Sequence, residues 1–167
     1  MRDFNIIISK LEQFIKKYYV NELLKGLILF FAIGLLYFLL TLFIEYMLWL
    51  STSARTILFV CFVIVELGLF VKFILMPLLH LFKLRKGIDY EKASALIGRH
   101  FNEVNDKLLN ILQLNQSPEQ SDLLLASIDQ KSKELTPVPF TSAIDFKSNV
   151  KYLKYAAIPL AIILLSW

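Results

Sequence analysis

Glu66 is the one residue whose chemistry demands an explanation, because it stands at the end of the apolar run Ile57-Leu58-Phe59-Val60-Cys61-Phe62-Val63-Ile64-Val65. Counted from Arg55 it lies about 16 Å along a helix, near the middle of a membrane. A carboxylate at that depth is expensive to ionise, so it is protonated, paired or turned to another protein surface. Thr41 and Tyr37, at similar depth on the preceding apolar run, supply candidate hydrogen-bonding groups for an intramembrane polar contact. The functional readings are a proton-coupled step or a helix–helix contact. The plainer reading is a carboxyl that holds two helices or an oligomer together. It is preferred because proton pathways need several polar residues and this stretch offers one.

Little else in the chain could do chemistry. Glu45 falls near a membrane interface, where carboxylates are tolerated, and can face Arg55. His80 and His100 stand alone, without a Cys, Asp or Glu at metal-binding spacing. The single cysteine, Cys61, excludes a disulfide within the chain. The five glycines are too scattered for a phosphate-binding loop, and Gly26 and Gly34 do not form a close-packing GxxxG pair. No nucleophile elbow is present. The expectation is therefore a protein that is not an enzyme and needs no cofactor or metal.

The elements that would position Glu66 are written in the hydropathy. Hydrophobic residues make up 57% of the 167, above the 45–50% usual for soluble proteins, so a bilayer must take some of that surface. Gly26 to Ile44 carries no charge and would span roughly 28 Å as a helix. Tyr46 and Trp49 follow where an aromatic belt is expected. The short polar link Ser51-Thr52-Ser53-Ala54-Arg55 turns the chain back, and a second span runs from near Thr56 to about Leu75. Lys72 can snorkel from its end, and Pro77 disturbs the helix beyond. No cleavable signal peptide is recognisable.

Before the first span come Arg2, Lys10, Lys16, Lys17 and Lys25; after the second come Lys83, Arg85 and Lys86; the link holds only Arg55. The positive-inside rule then puts both ends of a transmembrane hairpin in the cytoplasm, with residues 51–55 outside. The net charge of +4 is too diffuse for nucleic acid and fits a protein lying on anionic lipid. The lysines at 10, 16, 17 and 25, with Lys83, Arg85 and Lys86, are the interfacial basic residues of this reading.

Residues 1–21 read as an amphipathic interfacial helix, with Ile7, Leu11, Phe14, Ile15 and Tyr18 on one stripe and Lys10, Lys16 and Lys17 off it. Packing of that stripe on the protein's own helices is the alternative. Residues 22–82 form the hairpin, and 83–141 a cytoplasmic helical module. In the module, Asp89 caps a helix to about Phe101 that buries Ala93 and Ile97 with His100 or Phe101. A second helix covers about Asp106 to Leu114, with Leu108, Leu109, Ile111, Leu112 and Leu114 apolar. Ser117-Pro118-Glu119-Gln120 starts a third, which buries Leu124, Ile128 and Leu135 and is broken by Thr136-Pro137-Val138-Pro139. Its core is small and needs the amino-terminal helix, a partner or the membrane to complete it.

Ser142-Ala143-Ile144-Asp145 is a capping pattern for a last helix over 142–167, amphipathic and then apolar from Ala156. Twelve apolar residues reach only about 18 Å, which suggests the start of a third span cut short.

Three segments carry a resemblance: Lys10-Leu11-Glu12-Gln13-Phe14-Ile15, Leu84-Arg85-Lys86-Gly87-Ile88-Asp89-Tyr90 and Asp106-Lys107-Leu108-Leu109-Asn110-Ile111-Leu112-Gln113-Leu114. Over essentially the whole chain, the sequence resembles the amino-terminal membrane region of a family of large uncharacterised bacterial inner-membrane proteins with a domain of unknown function. The resemblance implies a membrane-anchoring head, followed by a third span and a helix-rich extracytoplasmic part. The expected fold is an all-α membrane protein. The expected function is an anchor and interaction module of a larger cell-envelope protein, docking on other inner-membrane or envelope proteins. The alternative is a subunit of a transporter or proton-conducting complex using Glu66.

Overall fold

The computed structural model describes residues 2–116 and 121–165. Every regular element among them is helical. They are α1 (Arg2–Leu48), α2 (Thr52–Phe70), a π-helical turn (Val71–Leu75), α3 (Met76–Leu81), α4 (Tyr90–Gly98), α5 (Asn102–Asn115), α6 (Asp122–Leu135) and α7 (Val150–Leu165). Two 3-10 turns, Phe140–Ala143 and Phe146–Asn149, precede α7. Three stretches are long and apolar enough to cross a membrane: Arg2–Leu48, Thr52–Leu81 and Phe140–Leu165.

The chain divides into two compact units. The first comprises Met1–Tyr18 and Lys86–Asp145. Its core joins Phe4, Ile7, Leu11 and Phe14 of α1 to Ala93 and Ile97 of α4, Val104, Leu108, Ile111 and Leu112 of α5, and Ile128 and Leu135 of α6. Ile15 and Tyr18 are partly buried against the same cluster. The interfacial reading of residues 1–21 is thereby corrected: their apolar stripe is taken up by protein, and α4 to α6 obtain from it the surface that their own core lacked. Residues 1–21 are also no separate element, since α1 runs unbroken for 47 residues.

Local chemistry sets the ends of these helices. Asp89 accepts from the Lys92 amide at 2.7 Å and caps α4, as its sequence position implies. α4 stops at Gly98, three residues short of the expected Phe101. Gly98 is buried against Asn105 of α5, so closely that a Cβ there would collide with it. Phe101 is partly buried and His100 exposed, so of that pair the ring of Phe101 meets the core. α5 begins at Asn102, four residues ahead of Asp106. For α6, Ser121 accepts from the Leu124 amide at 3.2 Å; the expected start at Ser117-Pro118-Glu119-Gln120 lies outside the described residues.

The second unit comprises Tyr19–Arg85 and Phe146–Trp167. Within it α1 and α2 lie side by side with reversed chain direction, Phe30 meeting Phe70 at 6.1 Å and Tyr37 meeting Phe62 at 5.7 Å between ring centroids. The connection is tighter than the expected 51–55 link. α1 ends with Trp49 in the left-handed region (φ 46°), its amide donating to Glu45 O at 3.2 Å, and α2 starts at Thr52. Pro77 lacks the amide that Phe73 O would receive in an α-helix, and the Val71–Leu75 turn widens just before it.

The last helix also differs from expectation. Ser142 does not cap it. Its hydroxyl donates to Pro139 O at 2.8 Å inside a 3-10 turn, and α7 begins only at Val150. With its two 3-10 turns, Phe140–Leu165 counts 26 residues and is long and apolar enough to cross a membrane by length and composition, whereas the expectation counted only the twelve residues from Ala156. Ser166 and Trp167 lie outside the described residues.

Candidate functional site

The contacts between α1 and α2 bring Glu66 against Gly34. A Cβ at Gly34 would stand 2.9 Å from both carboxyl oxygens, so the glycine lets the acid lie directly against α1, and a larger residue there would push the flexible carboxyl end aside. Around the pair is a cavity of about 270 Å³, walled by Phe30, Phe31, Leu35, Phe38 and Phe62. Oε1 of Glu66 is buried and has no hydrogen-bond partner among the described residues.

The expected partners are otherwise engaged. The Thr41 hydroxyl donates to Tyr37 O at 2.9 Å, a bond within α1, and the Tyr37 ring stacks on Phe62. Neither residue lines the Glu66 cavity. Sequence reasoning missed Gly34, although a signal existed. In an antiparallel pair that turns at Trp49 to Ser51, residues equally distant from the turn lie opposite one another, and residue 34 mirrors residue 66.

Toward the turn, Arg55 Nε meets Glu45 Oε1 at 2.7 Å, the pairing that the sequence suggested. The pair borders a second cavity, of about 380 Å³, which Thr41 also lines. At the other end of the helix pair the Tyr19 and His80 rings stack at 5.0 Å, so His80 is part of a packing contact. Nearby on α1, Asn149 Nδ2 donates to Asn21 Oδ1 at 2.8 Å, and Lys25 pairs with Glu22 at 3.6 Å. No group of three or more His, Cys, Asp or Glu among the described residues could hold a metal ion.

Two of the expected interfacial lysines have protein partners instead. Lys10 Nζ donates to the carbonyls of Thr136 and, at 3.0 Å, of Val138, and sits 5.7 Å from the centre of the Phe140 ring. Lys17 Nζ donates to Thr141 O at 2.7 Å. These bonds close the prolyl turn after α6 onto α1, which is their physical reason. Lys16 is exposed, as are Lys83, Arg85 and Lys86 in the segment after α3.

The site has a carboxyl, a fitted space and apolar walls, which suit recognition or a single protonation event. No protein-family model matches the chain, and comparison with curated proteins and with solved structures gives no match either.

Proposed function

We propose that this chain is a membrane-anchoring and protein-interaction module of the bacterial inner membrane, one that docks on a larger envelope complex. One observation carries the reading: from Ile57 to Phe70 α2 is apolar but for Glu66, yet the helix buries none of its residues. Ile57, Phe59, Ile64 and Leu67 are each more than half exposed. Such a face is unfavourable in water and ordinary in lipid, where packing partners are not required to hide it. In this reading α1 from about residue 22 and α2 with α3 form the transmembrane hairpin. Residues 83–141 are a cytoplasmic helical module, residues 51–55 face the periplasm, and α7 as a whole supplies a third span. The basic residues Lys25, Lys83, Arg85 and Lys86 support the orientation.

Cysteine labelling tests it. In a background with Cys61→Ala, Ser53→Cys should react with an impermeant maleimide on intact cells, and Ser121→Cys only after permeabilisation. The reverse pattern overturns the orientation. The rival, a proton-conducting or transport subunit, is favoured by the unpartnered oxygen of Glu66. Glu66→Gln separates the two. A complex that assembles normally in a host that no longer grows supports conduction, and normal growth supports the anchor.

A further inference from the structure

The α1–α2 pair holds an acid whose Oε1 has no bonding partner among the described residues. This oxygen of Glu66 is buried, the carboxyl lies against Gly34, and the surroundings are the rings of Phe30, Phe31, Phe38 and Phe62. An unpaired polar atom in such surroundings costs free energy that a donor would recover.

Five cations of this unit's spanning segments are placed elsewhere. Arg55 is held by Glu45, Lys25 by Glu22, and Lys72 lies over the Phe73 ring at 5.4 Å. Lys151 and Lys154 of α7 lie over the rings of their own neighbours, Tyr152 and Tyr155. A second copy, inserted in the same direction, would bring another carboxyl to the same depth and not a cation. The cavity is open on the side of Phe31, which is 64% exposed. We infer that the Glu66–Gly34 cavity seats a membrane helix of a partner protein, one that presents a basic side chain at mid-span. The inference rests on the anchoring reading above and names the chemistry of its partner.

The partner's role can be played by a synthetic poly-leucine helix with one lysine at its centre. The full chain is reconstituted in phosphatidylcholine vesicles, and its resistance to alkaline extraction is measured first. Association with the labelled peptide is then read by energy transfer. The lysine peptide should associate at least about tenfold more tightly than an all-leucine peptide, a difference of about 1.4 kcal/mol. Glu66→Leu should abolish the preference, and Glu66→Lys should transfer it to a peptide with a central glutamate. Equal association of the lysine and leucine peptides overturns the inference, as does a preference that survives Glu66→Leu. Equal capture by a central asparagine also overturns it, because a basic group would then not be what is read. Transfer between two labelled copies that Glu66→Leu removes would give the cavity to a second copy and overturn it too. Loss of the chain on alkaline extraction instead refutes anchoring, so the two failures are distinguishable.

Discussion

Replacing Lys10 with methionine separates a packed amino-terminal helix from one that lies on lipid. Methionine keeps most of the aliphatic stem and removes the ammonium that donates to the Thr136 and Val138 carbonyls. Bonds from a charged donor contribute about 1.5–3 kcal/mol, and the two share one ammonium and are only part-buried, so the loss should be about 2–3 kcal/mol. The turn after α6 would release first, and α6 would open with it. Amide hydrogen exchange along 124–135 should therefore accelerate by about 30- to 150-fold, since about 1.4 kcal/mol is tenfold in an opening equilibrium. Lys16→Met is the control, because Lys16 is exposed. If residues 1–21 lay on lipid, each lysine would contribute about 1 kcal/mol to membrane attraction and the two variants would behave alike. Equal effects, or no acceleration in Lys10→Met, would refute the packed arrangement.

Gly26→Ala should loosen the α1–α2 pair, because its Cβ would collide with the Phe73 carbonyl oxygen, a backbone atom. The cost should be about 1–3 kcal/mol, read as weaker disulfide trapping between Phe30→Cys and Phe70→Cys in a background lacking Cys61. Ser132→Ala should leave the unfolding midpoint unchanged or raise it, because the buried Ser132 Oγ has no partner among the described residues. A loss beyond about 1 kcal/mol in that variant would show that the hydroxyl has one. Lys83→Gly should stabilise the end of α3 by about 1 kcal/mol in denaturant titration. Lys83 sits at φ 57°, where its amide donates to His80 O and that of Leu84 to Leu79 O, the paired bonds of a helix-ending turn that favours glycine.

The amphipathic stripe at Ile7, Leu11 and Phe14 was legible because periodicity reports a face. Periodicity does not report what covers that face, and the choice between lipid and protein waited on α4 to α6. Asp89 was legible as a cap because the bond it makes is local, three residues away. Phe140 and Ile144 were missed as core residues, since the Pro137 and Pro139 segment was read only as a break. A break says where a helix stops and nothing about which side chains then fold back. Glu66 was visible by its rarity, whereas Gly34 became meaningful only when the turn was located and the residues opposite each other could be counted. The capping pattern at Ser142 misled because a serine in a tight turn can satisfy its own neighbourhood, here Pro139 O, as well as a helix end.

The π-helical turn at Val71–Leu75 amounts to one extra residue accommodated inside a helix. Each residue of an α-helix turns the chain by about 100°, so the extra one resets which face of α3 follows from the faces of α2. Glu66 and Phe70 on one side of it, and His80 on the other, all meet α1 despite that break in count. A single-residue deletion within 71–75 would restore regular helical turns while rotating His80 away from Tyr19. The length of this segment is thus under tighter control than its composition: exchanges among Val, Ile, Leu and Phe preserve the alignment of the two helices, and losing any one of the five residues does not.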